Sequence, residues 1–207
     1  MSHRNPLPLG VKPESTTFSI DSFAIREYRM GMLKGQDIVI LMNLTAHSEG
    51  RLPYAALGEK LCMSPSEVHA GVNRLVMAGL VDAEARRVKT EPALEFLKHG
   101  LKYVFPLERK GGLCRGVPTS HAAPCAKGVF AGDGEPPPVW PDAEGRVRGF
   151  GVVPLHRGVP AAAQKDKRLY ELLALADLLR GGRARERRWA EQRIEKILKT
   201  AASEVSP

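Results

Sequence analysis

The sequence predicts an α+β fold, mostly helical, and three observations predict it. Residues 33–80 carry three successive apolar patterns at helical spacing, strand-like segments follow at Leu80-Val81, 102–106 and 146–155, and a leucine-rich helix pattern leads into a charged one over 168–200. With 207 residues and 43% hydrophobic content, the chain can bury a substantial core.

The first helix is expected over Gln36 to Ala46, where Ile38, Leu41, Met42 and Thr45 recur at helical spacing. Tyr54 to Leu61 forms a second, short helix with Leu57 and Leu61 one turn apart, and only Cys62-Met63-Ser64 separates it from a third. The start of that third helix is explicit. Ser64 is a capping residue, Pro65 suits the first helical position, and Glu67 completes a capping box. At about 100° per residue, Val68, Val72, Leu75 and Val76 share one side. Ser66, Ala70, Asn73 and Arg74 lie roughly opposite, and His69 lies on the flank. Gly79 ends the helix and Leu80-Val81 begins a strand. Three helices followed by a strand suggest a winged helix-turn-helix, with Arg86, Arg87 and Lys89 on the wing. The wing lacks the Asn-Gly or Asp-Gly of a tight hairpin, so it is expected to be short or distorted.

The span Leu57 to Val81, with its L-x3-L-x2-S-x3-V-x3-V-x2-L-x3-G-L-V pattern, resembles the winged helix-turn-helix of MarR-like bacterial transcription regulators. The likeness covers about residues 33 to 90. The segments YVFPLERKGG, RGVPTSHAAP and LYELLALADLLRGGRARER resemble a group of bacterial proteins described only as helix-turn-helix regulators. The resemblance implies a DNA-binding regulator, expected to be a repressor in a bacterial cytoplasm.

After the wing, Pro92 opens a short helix with Leu94, Phe96 and Leu97 available for burial, and Lys102 to Pro106 reads as a strand stopped by proline. Glycine and proline are dense from Glu108 to Asp142 and no period is sustained, so a long loop is expected. Arg146 to Leu155 reads as a strand ending near Pro154. In Arg168 to Leu179 the residues Leu169, Leu172, Leu173, Ala176 and Leu179 form an apolar stripe, widened by Leu175 and Leu178 beyond what one exposed helix needs. Gly181-Gly182 marks a break before a charged helix, with Ala190, Ile194, Ile197 and Leu198 on one side. The expected organisation is an arm over 1–16, a winged helix over 17–107, a Pro/Gly-rich loop over 108–145 and a helical extension over 146–207.

Thirty-one basic residues against twenty-three acids give a formal charge of +8, which favours a polyanionic partner. The excess lies in 81–116, with eight basic and five acidic groups, and in 165–207, with eleven and seven; residues 1–80 are nearly neutral, with eight and seven. Phosphate neutralisation supplies most non-specific affinity, so the near-neutral helix-turn-helix argues mildly against strong DNA binding, which nevertheless ranks first. No apolar run reaches the roughly 18 residues a membrane span needs, and the N-terminus, with three prolines, lacks a signal-peptide core. The three cysteines are few and unpatterned, as in a reduced compartment.

Enzyme signatures are absent from the sequence. Cys114, His121 and Cys125 lack a C-x2-C knuckle and a fourth ligand, the K-G-G-L-C-R-G stretch lacks the order of a phosphate loop, and Ser120-His121 adjacency makes no dyad. Neither a metal nor a cofactor is expected. Arg183, Arg185, Arg187 and Arg188 suit either phosphate contact or a solvated face paired with Glu186 and Glu191. Trp140, among prolines, suits a packing anchor.

The expected function is therefore sequence-specific binding of double-stranded DNA by a homodimer. Asn73 and Arg74 would reach base edges, Ser66 and His69 base or phosphate, and Ser64 and Ala70 complete the presented face. Arg86, Arg87 and Lys89 would hold phosphates. Leu169, Leu172, Leu173, Ala176 and Leu179 would form the dimer or partner interface. The alternative is a protein-binding adaptor or antitoxin-like protein whose extension captures a partner protein.

Overall fold

The computed structural model describes residues 32–48, 52–130 and 134–203, which all fall within one compact unit, Gly31–Pro207. The arm expected over 1–16 lies outside the described residues. The chain is α+β: helices surround one core, and a small three-stranded sheet packs against it.

Helix α1 (Gly35–Ala46) starts where the Asp37 carboxylate accepts the Lys34 amide at 2.8 Å. Its centre, Ile38 to Met42, is at most 1% exposed on every side. The expected stripe is narrower than this, because α1 is covered by more than the two following helices. α2 (Tyr54–Leu61) ends on Cys62 in the left-handed region, φ 54°, and the Met63 amide closes the turn on the Gly58 carbonyl at 2.9 Å. α3 (Pro65–Met77) has the expected capping box: the Ser64 hydroxyl accepts the Glu67 amide at 3.2 Å, and Glu67 accepts the Ser64 amide at 2.8 Å. It stops at Gly79, whose φ of +74° releases the chain toward Leu80.

The hairpin that follows is minimal. One antiparallel bridge joins Val81 to Val88, and Asp82 turns the chain by accepting the amides of Glu84 (3.0 Å) and Ala85 (2.8 Å).

Beyond the hairpin the chain departs from expectation twice. Lys102 to Pro106 is not a strand: α4 (Thr90–Glu95) runs through a π-helical turn (Phe96–Gly100) into α5 (Leu101–Val104). Tyr103 and Val104 favour strands by type, but the backbone bonds of the preceding turns carry the helix through them, and both are exposed. The segment 108–145 is not a featureless loop either. It contains β1 (Arg109–Pro118) and β2 (Pro138–Pro141), which with β3 (Val147–Val152) close on one another. β1 is antiparallel to both partners, pairing Val117 with Trp140 and Cys114 with Gly149, while β2 and β3 run parallel. So small a closed sheet needs glycine for close approach. A Cβ on Gly116 would lie 2.1 Å from the Trp140 carbonyl oxygen, and one on Gly149 would lie 1.9 Å from that of Pro137.

The chain ends in α6 (Val159–Lys165), α7 (Lys167–Gly181) and α8 (Ala184–Ser203). Asp166 caps α7 by accepting the amides of Arg168 (3.0 Å) and Leu169 (3.1 Å), and it also bonds His47 at the end of α1. α7 is the central helix: α1, α5, α6, α8 and the turn at Ser120–Ala122 all pack on it. From Leu172 to Arg180 it is accordingly buried all round. Leu169, Leu172, Leu173, Ala176 and Leu179 are each at most 2% exposed within this one chain, so they are not a dimer or partner interface. Their excess apolar surface is covered by the chain's own helices.

A polar hub fastens the sheet to α7. Asp177 accepts Trp140 Nε1 at 2.7 Å, Thr119 Oγ1 at 2.8 Å and the Arg180 guanidinium at 2.6 Å. Arg180 in turn donates to the Phe105 carbonyl at 2.7 Å. Burial raises the Asp177 carboxyl above its ordinary value, and the Arg180 charge with the two neutral donors opposes that rise. Trp140 is thus the expected anchor, with α7 as its attachment.

Candidate nucleic-acid interface

The capping box fixes where α3 begins, and the side that packs fixes what it presents. Val68, Gly71, Val72 and Leu75 are buried, while Ser66, His69 and Asn73 are exposed and Ala70 is half-buried beside them. Ser64 is exposed, but its hydroxyl is engaged in the cap and lies 3.1 Å from Ser66 Oγ.

Arg74 does not belong to this face. It is 7% exposed, and its Nε and terminal nitrogen donate to the two Asp37 oxygens at 2.7 and 2.6 Å. The reason is geometric. Arg74 lies on the flank of α3 that turns toward α1, and Gly71, whose Cβ would lie 2.4 Å from Ile40 Cδ1 and 2.9 Å from Asp37 Oδ1, lets the two helices meet closely there. A buried carboxylate then needs a bidentate partner, and Arg74 is in reach.

Arg86 needs the same correction. Its backbone adopts φ +50°, which turns the side chain inward, where a terminal nitrogen donates to the Leu52 carbonyl at 3.1 Å. Its guanidinium lies 4.3 Å from the centre of the Tyr54 ring, and the edge of that ring meets His69 at 5.0 Å between centroids. Hairpin, α2 and α3 are thereby joined by one row of side chains, Arg86, Tyr54 and His69, with Asn73 Nδ2 3.5 Å from His69 Nε2 at its far end. Arg87 and Lys89 remain exposed on the hairpin.

The structure adds two basic residues that sequence reasoning missed. The segment after β3 reaches the α2–α3 turn because Gly158 has no side chain; a Cβ there would lie 2.7 Å from the Leu61 carbonyl oxygen and 2.9 Å from Cys62 Cβ. His156 and Arg157 are carried to the N-terminal end of α3, where both act electrostatically on Glu67. The Ser64 amide and hydroxyl hold the Glu67 carboxyl below its usual range, and these two charges add to that effect. Burial lowers the His156 pKa, with Arg157 acting in the same direction and Glu67 against it, and its Nδ1 accepts the Gly158 amide at 3.1 Å. Lys165 also lies at the turn, its Nζ 3.9 Å from Cys62 Sγ. Arg157 stands far from Glu67 in the chain, and no local pattern links them.

The remaining basic candidates are partly tied. Arg187 donates to the Gly182 carbonyl at 2.8 Å, the Arg183 amide donates to Glu186 at 2.7 Å, and Trp189 packs edge-on against Phe130. Cys114, His121 and Cys125 do not converge, and among the described residues no three metal-ligating side chains cluster. Among the described residues no helix is long and apolar enough to cross a membrane. No family model, curated protein or solved structure matches the chain.

Proposed function

We propose that this protein is a winged helix-turn-helix regulator that binds duplex DNA through α3. The observation that carries the reading is the exposed face of Ser66, His69 and Asn73 on a helix whose other sides are locked: by the capping box at its start, by its buried valines and by the Asp37–Arg74 pair. A recognition helix needs such rigidity, because base contacts demand side chains held in register. Asn73 is the base reader, suited to adenine, and His69 and Ser66 contact base or phosphate. Arg87 and Lys89 hold the backbone on one side and Arg157 on the other. Arg74 and Arg86 support the face from within.

Two-fold pairing remains the natural way for so short a helix to read an adequate site, so a homodimer is part of the proposal. Its contact lies outside the α7 leucines.

The experiment is selection of duplexes from a random pool by the full-length protein, followed by titration of the enriched sequence at several salt concentrations. The reading expects an enriched motif with a two-fold repeat, and Asn73→Ala relaxing one position of each half. Failure to enrich any motif overturns sequence-specific binding, and retained capture of random duplex would leave only a phosphate-binding surface.

A further inference from the structure

The outward side of the small sheet concentrates positive charge. β1 and β3 together hold Arg109, Lys110, Arg115 and Arg148 and no acidic residue, and Arg146 immediately precedes β3. Arg115 lies directly opposite Arg148 in the antiparallel register, and the next pair on that side of the ladder is Leu113 with Phe150. The other side is the crowded one, where Gly116 and Gly149 meet the backbone of Trp140 and Pro137. Both arginines are exposed, Leu113 is 46% exposed, and the Arg109 guanidinium lies 5.5 Å from the centre of the half-buried Phe150 ring.

Like charges directly opposite one another on neighbouring strands destabilise a sheet. None of these five cations pairs with a carboxylate among the described residues. Acids lie at the ends of the patch. Glu108 precedes β1, and Glu135 and Glu186 share a cavity lining with Arg109 and Phe150. Asp142 and Glu144 stand before β3, where the Asp142 carboxylate accepts the Glu144 amide at 2.8 Å and the Gln164 side chain at 3.3 Å. Positive charge is therefore concentrated at Arg115 and Arg148. Beside Leu113, Gly112 leaves bare backbone in open space: a Cβ there would meet nothing within 4 Å, so packing gives no reason for the glycine. Glycine in a strand also serves close approach by a ligand.

We propose that this patch binds single-stranded nucleic acid, with Arg115 and Arg148 holding backbone phosphates through their forked guanidinium groups and a base lying on Leu113 and Phe150. Two opposed arginines call for an anion between them, and the apolar pair one step along the ladder calls for a flat, weakly polar group attached to it. A duplex offers the phosphates but keeps its bases stacked inside. An acidic peptide offers the charge without a ring at a fixed spacing from it. DNA and RNA strands share the required chemistry, and the site is distinct from the α3 face.

The test is fluorescence anisotropy of the full-length protein with labelled oligothymidylate and oligouridylate of about twelve nucleotides, within the usual range of site sizes, at several salt concentrations. At least one strand is expected to saturate at micromolar protein, and a strand with the same backbone but no bases to bind at least tenfold more weakly, since stacking is lost. Arg115→Gln with Arg148→Gln is expected to weaken binding at least tenfold and to flatten the dependence of log affinity on log salt by about 0.7 for each phosphate released. It should melt no lower than the wild type, because a like-charge pair is relieved. The inference is overturned if neither strand saturates, if the base-free strand binds as tightly, or if the double variant binds as the wild type does. It is overturned equally if polyglutamate of matched length displaces the labelled strand as well as the unlabelled strand does, which would assign the patch to acidic protein segments. The base-free comparison uses the wild type alone and stands even if the double variant fails to fold. With no duplex present, the outcome is independent of the duplex selection.

Discussion

The Arg74 guanidinium grips the Asp37 carboxylate through two hydrogen bonds, 2.6 and 2.7 Å long, between α3 and α1. Asp37 is also the acceptor for the Lys34 amide at 2.8 Å, so one carboxylate starts α1 and holds α3 against it. The orientation of the presented face is set by this pair. It follows that a residue on the polar side of the helical wheel acts as a strut, while its neighbour Asn73 stays exposed.

Replacing Arg74 by alanine should therefore unfold the protein more readily, at a cost of about 3 to 5 kcal/mol, because Asp37 is left buried and charged without its partner. Replacing both partners, Asp37→Leu with Arg74→Met, should cost much less than the single change. Urea denaturation of the three variants measures this. A stable Arg74→Ala protein that had lost discrimination at one base pair would return Arg74 to the reading face.

On the exposed face the expectation is reversed. Asn73→Ala should leave stability within about 0.5 kcal/mol of the wild type. Asn73→Ala should cost about 1 to 3 kcal/mol at one position of a selected duplex. Binding titrations on matched and single-substituted duplexes give the answer, and equal affinity of Asn73→Ala for all of them would remove the base-reading role.

Phosphate contacts are separable by salt. Neutralising Arg87, Lys89 and Arg157 together should flatten the dependence of log affinity on log salt by about 0.9 for each phosphate no longer neutralised, with sequence preference retained. Arg86→Ala should instead loosen the hairpin from Tyr54 and change stability, with no comparable change in slope. An unchanged slope in the triple variant would show that phosphates are held elsewhere.

Much of α3 is legible in the sequence because its signals are local: Ser64, Pro65 and Glu67 stand within one turn, and Gly79 marks the end without reference to anything distant. The Asp37–Arg74 pair is hidden there because its partners are 37 residues apart and arginine on the polar side of a wheel ordinarily faces water. Gly116, Gly145 and Gly149 mislead for a related reason. Glycine serves a flexible loop and a crowded strand equally, and only the approaching backbone distinguishes them; a Cβ on Gly145 would lie 2.4 Å from Gly116 Cα. The leucine surplus of α7 correctly signals a covering partner, but composition cannot tell which chain supplies it.

The Asp166 cap gives a pH dependence of known sign. Burial raises this carboxyl, but the His47 bond and the amides of Leu169 and Arg168 outweigh it, and the net value falls below the ordinary 3.8. A depressed carboxyl contributes stability above its unfolded value and loses that contribution as pH falls through the folded one. The stability difference between wild type and Asp166→Asn, which keeps a capping oxygen but no charge, should thus shrink as pH drops from about 6 to about 2. Thermal melts across that range test it. A difference that grows on acidification would mean that the Asp166 carboxyl is not held below its ordinary value.

The burial of α7 is open to a sharp test, because an interface and a core respond oppositely to the same substitution. Leu172 is 1% exposed, in a helix enclosed by α1, α5, α6 and α8. A glutamate placed on a dimer contact typically yields a folded monomer, since the charge is hydrated once the partner leaves. Placed in a core it has no exit to water, and the cost of burying it exceeds the whole stability of an ordinary domain or forces the chain open. Leu172→Glu should accordingly abolish the cooperative melting transition, and Leu175→Ala should cost about 2 to 5 kcal/mol as a cavity. A chain ending near Pro160 should aggregate, as it loses the helix around which the others pack. Circular dichroism melts with sedimentation equilibrium would reveal the contrary case, in which Leu172→Glu is a stable monomer half the mass of the wild-type particle, and that result would restore the α7 leucines to an intermolecular role.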